Sequence, residues 1–271
     1  FGDVLARSVA YGDWFLAAQL GMDDGFSELP RSMLAAAEQA MIDRADTVAR
    51  GAPDALRSVL DGLLLAGMAM SVVGQTAPVS GWEHAISHHL DLTAQADGRR
   101  SALHGAQVGV ATLVAARAYE RAWPDLDLDR LARNVNLSTV QGRVRATFAR
   151  LDASGRLVDE LWRDLAKKLN RWNAAGAARR SFIERKRAGC YDAFLRANVR
   201  SSAAVADALT RATAPRRFAD LTEPISAVTA RTAVSNAHLV RARFTLGDLL
   251  DQAGWLDDAN VAALLHDSAD V

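Results

Sequence analysis

The chain has 271 residues, half of them hydrophobic, with 32 Lys plus Arg balanced by 32 Asp plus Glu. That length can bury a substantial core, and zero net charge excludes the electrostatic footprint of a nucleic-acid or anionic-membrane binder as main partner. The single cysteine, Cys190, excludes an internal disulfide and suits a reducing cytoplasm. The opening FGDVLAR has no secretory pattern and reads as part of a longer protein.

Helical signals run from end to end and alternating β-branched runs are missing, so the predicted fold class is all-α. A first helix spans 3–20 and stops at Gly21. Pro30 opens a second that Gly51 ends, and Pro53 sits in the first turn of a third. The most apolar stretch, 60–73 (LDGLLLAGMAMSVV), is shorter than the roughly 20 residues of a membrane span. It is expected to be a buried core helix, with no membrane insertion. A loop over 75–81 leads into the segment PVSGWEHAISHHLDLTAQADGRRSALHGAQVGV, and a helix over 103–121 is broken by Trp123-Pro124. Arg-rich amphipathic helices follow: Ser138 with Gln141 reads as a capping-box start, and the pattern continues over 151–172 and 181–199. The run from Arg179-Arg180 to Lys186-Arg187 reads as a solvated helix face. Pro215 and Pro224 flank a loop, and the last helices cover 233–253 and 257–266. No internal repeat or low-complexity linker interrupts the chain, so one helical domain is expected over 1–271, with subclusters 1–123 and 130–271.

Four of the six histidines, His84, His88, His89 and His104, fall in one short segment. His84 and His88 are four residues apart and leave the same helix face one turn apart, and His104 precedes Gly105, where backbone or ligand can approach closely. Neutral imidazoles converging on a point suit zinc or iron. An oxygen ligand is also expected, from Asp3, Asp13, Glu83, Asp91 or Asp97. Glu83 points about 100° away from His84 on a helix and is a poor ligand for the same ion; spacing does not choose among the others. His89 reads as a solvated neighbour, His238 and His266 as surface or packing residues, and Trp14, Phe15, Tyr191 and Phe194 as core. Trp82 is a weak candidate for a pocket wall.

The segments GDVLARSVAYGDW, LLLAGMAMSVVGQTAPVSGWEHAISHHLDL, LHGAQVGVATLVAARAYE and HLVRARFTLGDLL resemble the C-terminal helical, metal-binding domain of the sn-glycerol-1-phosphate dehydrogenase family. That family lies in the wider group of glycerol dehydrogenase, iron-containing alcohol dehydrogenase and dehydroquinate synthase. The likeness is strong over 1–120, returns at 235–250 and is weaker between.

The resemblance implies Asp3, His84 and His104 as metal ligands, and Asp3 and His88 as the catalytic residues that also contact substrate. The implied metal is zinc, with iron or nickel as alternatives. NAD or NADP would be held by an N-terminal α/β domain absent from this chain, so no cofactor-binding residue is assigned and the fragment alone is expected to be inactive. The implied reaction interconverts sn-glycerol 1-phosphate and dihydroxyacetone phosphate, a step toward phospholipid biosynthesis. A small polyol or polyol phosphate is the implied partner, with a homo-oligomer and a cytoplasmic setting. Two departures stand out: Ala77 replaces an Arg common in similar dehydrogenases, and Ala106 a Glu. Ala77 keeps glycerol or another small alcohol in view as substrate. A catalytically silent helical domain is a further reading, while the near absence of Lys disfavours a dehydroquinate synthase-type cyclase.

Overall fold

The computed structural model describes residues 1–266. Among them there is no strand, and the fold is all-α. In chain order the helices are α1 (Gly2–Leu5), α2 (Arg7–Gln19), α3 (Leu29–Asp43), α4 (Ala45–Val48), α5 (Pro53–Val73), α6 (Trp82–Ala96), α7 (His104–Ala122) and α8 (Leu128–Leu131). There follow α9 (Leu137–Phe148), α10 (Arg156–Ala174), α11 (Gly176–Arg187), α12 (Asp192–Asn198), α13 (Ser202–Arg211), α14 (Ala227–Asn236), α15 (Leu246–Gln252) and α16 (Asp258–Leu265).

Local chemistry explains most boundaries. Pro53 occupies the first turn of α5, and Gly74 closes it in the left-handed region at φ 70°. Asn136, not Ser138, caps α9: its side-chain oxygen accepts from the backbone amides of Ser138 and Thr139. The expected capping box is therefore replaced by an Asn cap two residues earlier. Several expected helices are each two. The first turns at Ala6, the second at Arg44, and the 181–199 stretch at Gly189, with φ 71°. The 233–253 stretch is broken more deeply: a 3-10 turn over Ala237–Val240 is followed by extended backbone at Arg241 and Thr245 before α15 begins.

The core is built around α7, which is buried along most of its length and lies against α1, α6, α13 and α16. A main cluster joins residues from Val4 to Leu264, with Trp82, Leu5 and Leu250 among its fully buried members. A smaller one forms under α9 and α10 from Val144, Phe148, Val158, Leu165, Leu169 and Leu239. Trp14, Phe15, Phe26 and Phe194 interlock with Tyr11 and Tyr191, Phe15 stacking on Phe194 at 3.7 Å.

The expectation that 60–73 is a buried core helix is overturned. On α5 only Ala55, Gly62 and Ala69 are buried; they recur every seven residues on the side facing α3 and α1. Gly62 is required there, since a Cβ would come within 2.9 Å of Val4 Cγ1. Leu60, Leu64, Met68 and Val72 face outward, each more than half exposed. Hydrophobicity marks α5 as apolar nearly all round, but burial needs a neighbour on each side, and the small residues mark the one side that has it. By length and composition α5 is the one described helix apolar enough to cross a membrane.

Candidate metal and substrate site

A run of glycines brings Asp3 into place. A Cβ on Gly2 would collide with the Gly105 carbonyl oxygen and lie 2.9 Å from Gly109 Cα, so α1 rests directly on the backbone of the first turn of α7. Asp3, the second residue of α1, thereby meets His104, the first residue of α7.

His84 arrives from the first turn of α6, whose start is fixed by two buried carboxylates. Asp13 Oδ2 accepts from Trp82 N at 2.8 Å and from Leu246 N at 3.0 Å, while its Oδ1 accepts from the Tyr119 hydroxyl at 2.7 Å. Asp13 thus ties α2, α6, α7 and α15 together and is not a member of the metal-binding group. Burial, reinforced by the nearby Glu83, pushes its carboxyl well above the usual range. Glu83 Oε1 accepts from Gly81 N at 2.6 Å and meets His84 Nδ1 at 2.8 Å.

The imidazoles converge on Asp3. His84 Nε2 stands 3.1 Å from Asp3 Oδ1 and His104 Nε2 stands 3.5 Å from the same oxygen. His104 Nδ1 lies 3.2 Å from Ser87 Oγ, which donates to Gln107 Oε1, while Gln107 Nε2 donates to Asp91 Oδ1. Glu83 and Ser87 can each accept from an Nδ1–H group, which leaves both Nε2 atoms turned toward one carboxylate oxygen: protonated they donate to Asp3, and deprotonated their lone pairs would be free for a cation. Ligands about 2 Å from a tetrahedral ion sit about 3.4 Å apart, and three ligand atoms from Asp3, His84 and His104 lie within 4.8 Å of one another. The residues fit a transition metal, with outer hydrogen bonds already orienting both rings.

Electrostatics agree. The hydrogen bonds from His104 and His84 hold the Asp3 carboxyl well below the usual carboxylate range despite partial burial. Burial alone would lower the His84 imidazole, but Asp3 and Glu83 outweigh it and raise it to about 9. This corner therefore attracts positive charge, and a proton and a metal ion compete for Nε2.

His88 lies one turn along α6, at the edge of the cluster, its ring centroid 5.8 Å from that of His104. Burial, then the Arg241 guanidinium and the two neighbouring imidazoles, push it down to about 4, so it is neutral near pH 7. It lines a cavity of about 280 Å³ with Asp91, Leu92, Gln95, Val240 and Arg241. A larger cavity, about 920 Å³, lies instead among Tyr11, Glu38 and Trp123 and holds none of the clustered residues.

Other sequence readings need revision. His89 is not solvated: it is 2% exposed, packed on Phe148, with both ring nitrogens lacking a partner. Its neighbour His88 points to the cavity while His89, one residue on, faces the core. Trp82 is core, pressed against Gly247. Asp97 pairs with Arg99 at the surface, His238 is buried beside Asp251, and His266 is exposed. Sequence reasoning set Glu83 aside because it cannot share the ion with His84, yet it orients that histidine from the adjacent position. It also missed Arg241 and Arg243, for which the only signal was the RAR triplet inside an apparent helix.

No protein-family model matches the chain. Curated relatives do. The chain is 30% identical to the NAD(P)+ glycerol-1-phosphate dehydrogenase of Geobacillus stearothermophilus over 61% of its own length and 39% of the relative's. It is 34% identical to that of Korarchaeum cryptofilum over 45% of the chain and 39% of the relative. For that of Methanococcoides burtonii the figures are 37%, 42% and 30%. Over these stretches the chain is similar to NAD(P)+ glycerol-1-phosphate dehydrogenases. It spans only 30% to 39% of the length of these relatives.

Proposed function

We propose that this chain is the metal-binding catalytic part of an NAD(P)-dependent dehydrogenase interconverting sn-glycerol 1-phosphate and dihydroxyacetone phosphate. The observation that carries this reading is the convergence of His84 Nε2 and His104 Nε2 on Asp3 Oδ1, with both Nδ1 atoms engaged elsewhere. Two nitrogens and one carboxylate suit zinc, with iron or nickel as alternatives, and leave coordination positions for substrate. A divalent ion there supplies Lewis acidity toward the ketone or alcohol oxygen, and the nicotinamide of the relatives' names supplies hydride.

The protein's own groups do the rest. Asp3 stays ionised at any physiological pH and adds a negative charge at the reacting centre. His88, kept neutral, accepts a hydrogen bond from a substrate hydroxyl and fixes its orientation. Its low basicity makes it an orienting acceptor more than a proton store.

The test is NAD(P)H oxidation by a zinc-loaded protein that carries this chain together with a nicotinamide-binding domain, comparing dihydroxyacetone phosphate with dihydroxyacetone. The phosphorylated ketone is expected to be preferred. Preference for the plain ketone would move the protein to glycerol or a related small alcohol, the reading that Ala77 favours. The 271-residue chain alone is expected to bind metal without turnover.

We also infer a homo-oligomer in a cytoplasmic setting. Leu60, Leu64, Met68 and Val72 recur every four residues on the open side of α5, and no charge interrupts residues 62–73. The stripe is symmetric about residue 66, so two antiparallel copies set Leu60 of one against Val72 of the other and Leu64 against Met68, as a two-fold interface requires.

A further inference from the structure

The break between α14 and α15 has no packing role that its arginines serve. Its ends are pinned. Lys168 Nζ donates to His238 O at 2.7 Å and pairs with Asp248 Oδ1 at 2.6 Å, a bridge in which both side chains are buried. Thr245 and Asp248 form a capping box, and Asp13 receives Leu246 N. Arg143 holds Ser235 O, Asn236 Oδ1 and Asp251 on the other side. Between these anchors the backbone is extended at Arg241, bends at residues 242 and 243, and is extended again at Thr245.

Neither arginine forms an ion pair among the described residues, although Glu83 attracts both and Asp13 and Asp23 attract Arg243. Arg241 forms no salt bridge among the described residues, and its Nε is buried without a partner beside His88. Arg243 makes one side-chain hydrogen bond, from Nη2 to the neutral Ser80 Oγ at 3.0 Å. The carboxylates on the facing helices have other partners: Glu83 holds Gly81 and His84, Asp13 holds Trp82, Leu246 and Tyr119, and Asp91, which lines the same cavity as Arg241, accepts from Gln107. Burial, then the repulsion of Arg241, lowers the Arg243 guanidinium to about 10. Partly buried guanidinium groups left without acceptors are costly; elsewhere in this protein the buried Arg7 has a carboxylate, Glu38, and the buried Arg179 has the carbonyl oxygens of Leu131 and Arg133 and the side chain of Asn134. The wall shared by Arg241 and His88 opens into the 280 Å³ cavity next to the Asp3, His84 and His104 cluster.

We propose that Arg241, backed by the charge of Arg243 and by Ser80, is the anion subsite of this pocket and takes the phosphate group of a small phosphorylated polyol. The planar guanidinium fork matches two phosphate oxygens at once, which a point charge does not. The subsite supplies phosphate recognition although position 77 carries a methyl group, and it rests on the dehydrogenase reading only for what lies at the other end of the ligand.

The experiment titrates the zinc-loaded chain with inorganic phosphate and with glycerol 1-phosphate by calorimetry, for wild type, Arg241→Gln and Arg241→Lys, with zinc affinity measured on each. The expected result is at least a tenfold loss of affinity for both phosphates in Arg241→Gln, partial recovery in Arg241→Lys, and unchanged zinc affinity. Equal phosphate affinity in Arg241→Gln and wild type overturns the subsite, and so does a loss accompanied by loss of zinc. In the protein that also carries the nicotinamide domain, the ratio of kcat/KM for phosphorylated over plain ketone is expected to fall at least tenfold in Arg241→Gln. Turnover with that ratio unchanged sinks the subsite and leaves the dehydrogenase reading standing. Phosphate binding that depends on Arg241 without ketone turnover does the reverse.

Discussion

Glu83 Oε1 sits 2.8 Å from His84 Nδ1, so the residue next to the histidine in sequence decides which nitrogen that ring turns toward Asp3. A helix cannot aim adjacent side chains at one ion, but it can let one hold the other. Glu83→Gln, which keeps the shape and loses the charge, is expected to weaken zinc binding by about 10- to 100-fold, the usual cost of an outer partner. Chelator competition checks this; unchanged affinity would remove Glu83 from the site.

His84→Ala and His104→Ala are expected to abolish stoichiometric zinc binding, because each removes one of three donors. His88→Ala is expected to retain zinc and, in the protein with its nicotinamide domain, to lose turnover. Metal content by atomic absorption on the three variants separates these roles. A metal-free His88→Ala protein would mean that the donor set is wrong.

His89 makes stability depend on pH. Its folded pKa is lowered to about 4, by burial first and then by Arg150, whereas the unfolded value is about 6.5. Between those values the unfolded chain binds the extra proton, so stability is full above pH 6.5 and lost as pH falls toward 4. The loss from this group between pH 7 and pH 5 is about 2 kcal/mol. In His89→Leu, urea midpoints at the two pH values should differ by correspondingly less. An identical acid loss in both proteins would show that His89 titrates normally.

The α5 stripe gives a hydrodynamic prediction. Light scattering is expected to find the wild-type chain larger than its 29.1 kDa monomer and Leu64→Glu close to it. If the wild type is already monomeric, the stripe has another cover, and flotation with lipid vesicles asks whether that cover is a membrane.

Gly2→Ala tests how α1 is seated. Its methyl group would strike the Gly105 carbonyl, so α1 must lift from α7 at about 1–3 kcal/mol. Because Asp3 moves with α1, zinc affinity should fall with stability. Thermal unfolding with and without zinc reads both, and a variant with normal zinc affinity would mean that Asp3 is placed by something other than this contact.

The sequence by itself determined the helical class and the proline and glycine punctuation, because helix periodicity and caps are local; it marked His84 and His104 as candidates through a contiguous motif, and Asp3 only through the family resemblance. It also limited Glu83 to one side of α6. Tertiary structure alone decided that Asp3, 81 residues before His84, meets it at 3.1 Å, since that depends on glycine-lined contact between α1 and α7. The same holds for Asp13, whose carboxylate serves four helices, and for the burial of His89, which alternation of faces around α6 fixes only once α9 is packed on it. The exposed side of α5 and the non-helical break carrying Arg241 and Arg243 read as ordinary helix in sequence. Hydrophobicity and helix propensity describe what a residue prefers, while burial and backbone conformation depend on which neighbours the whole fold brings.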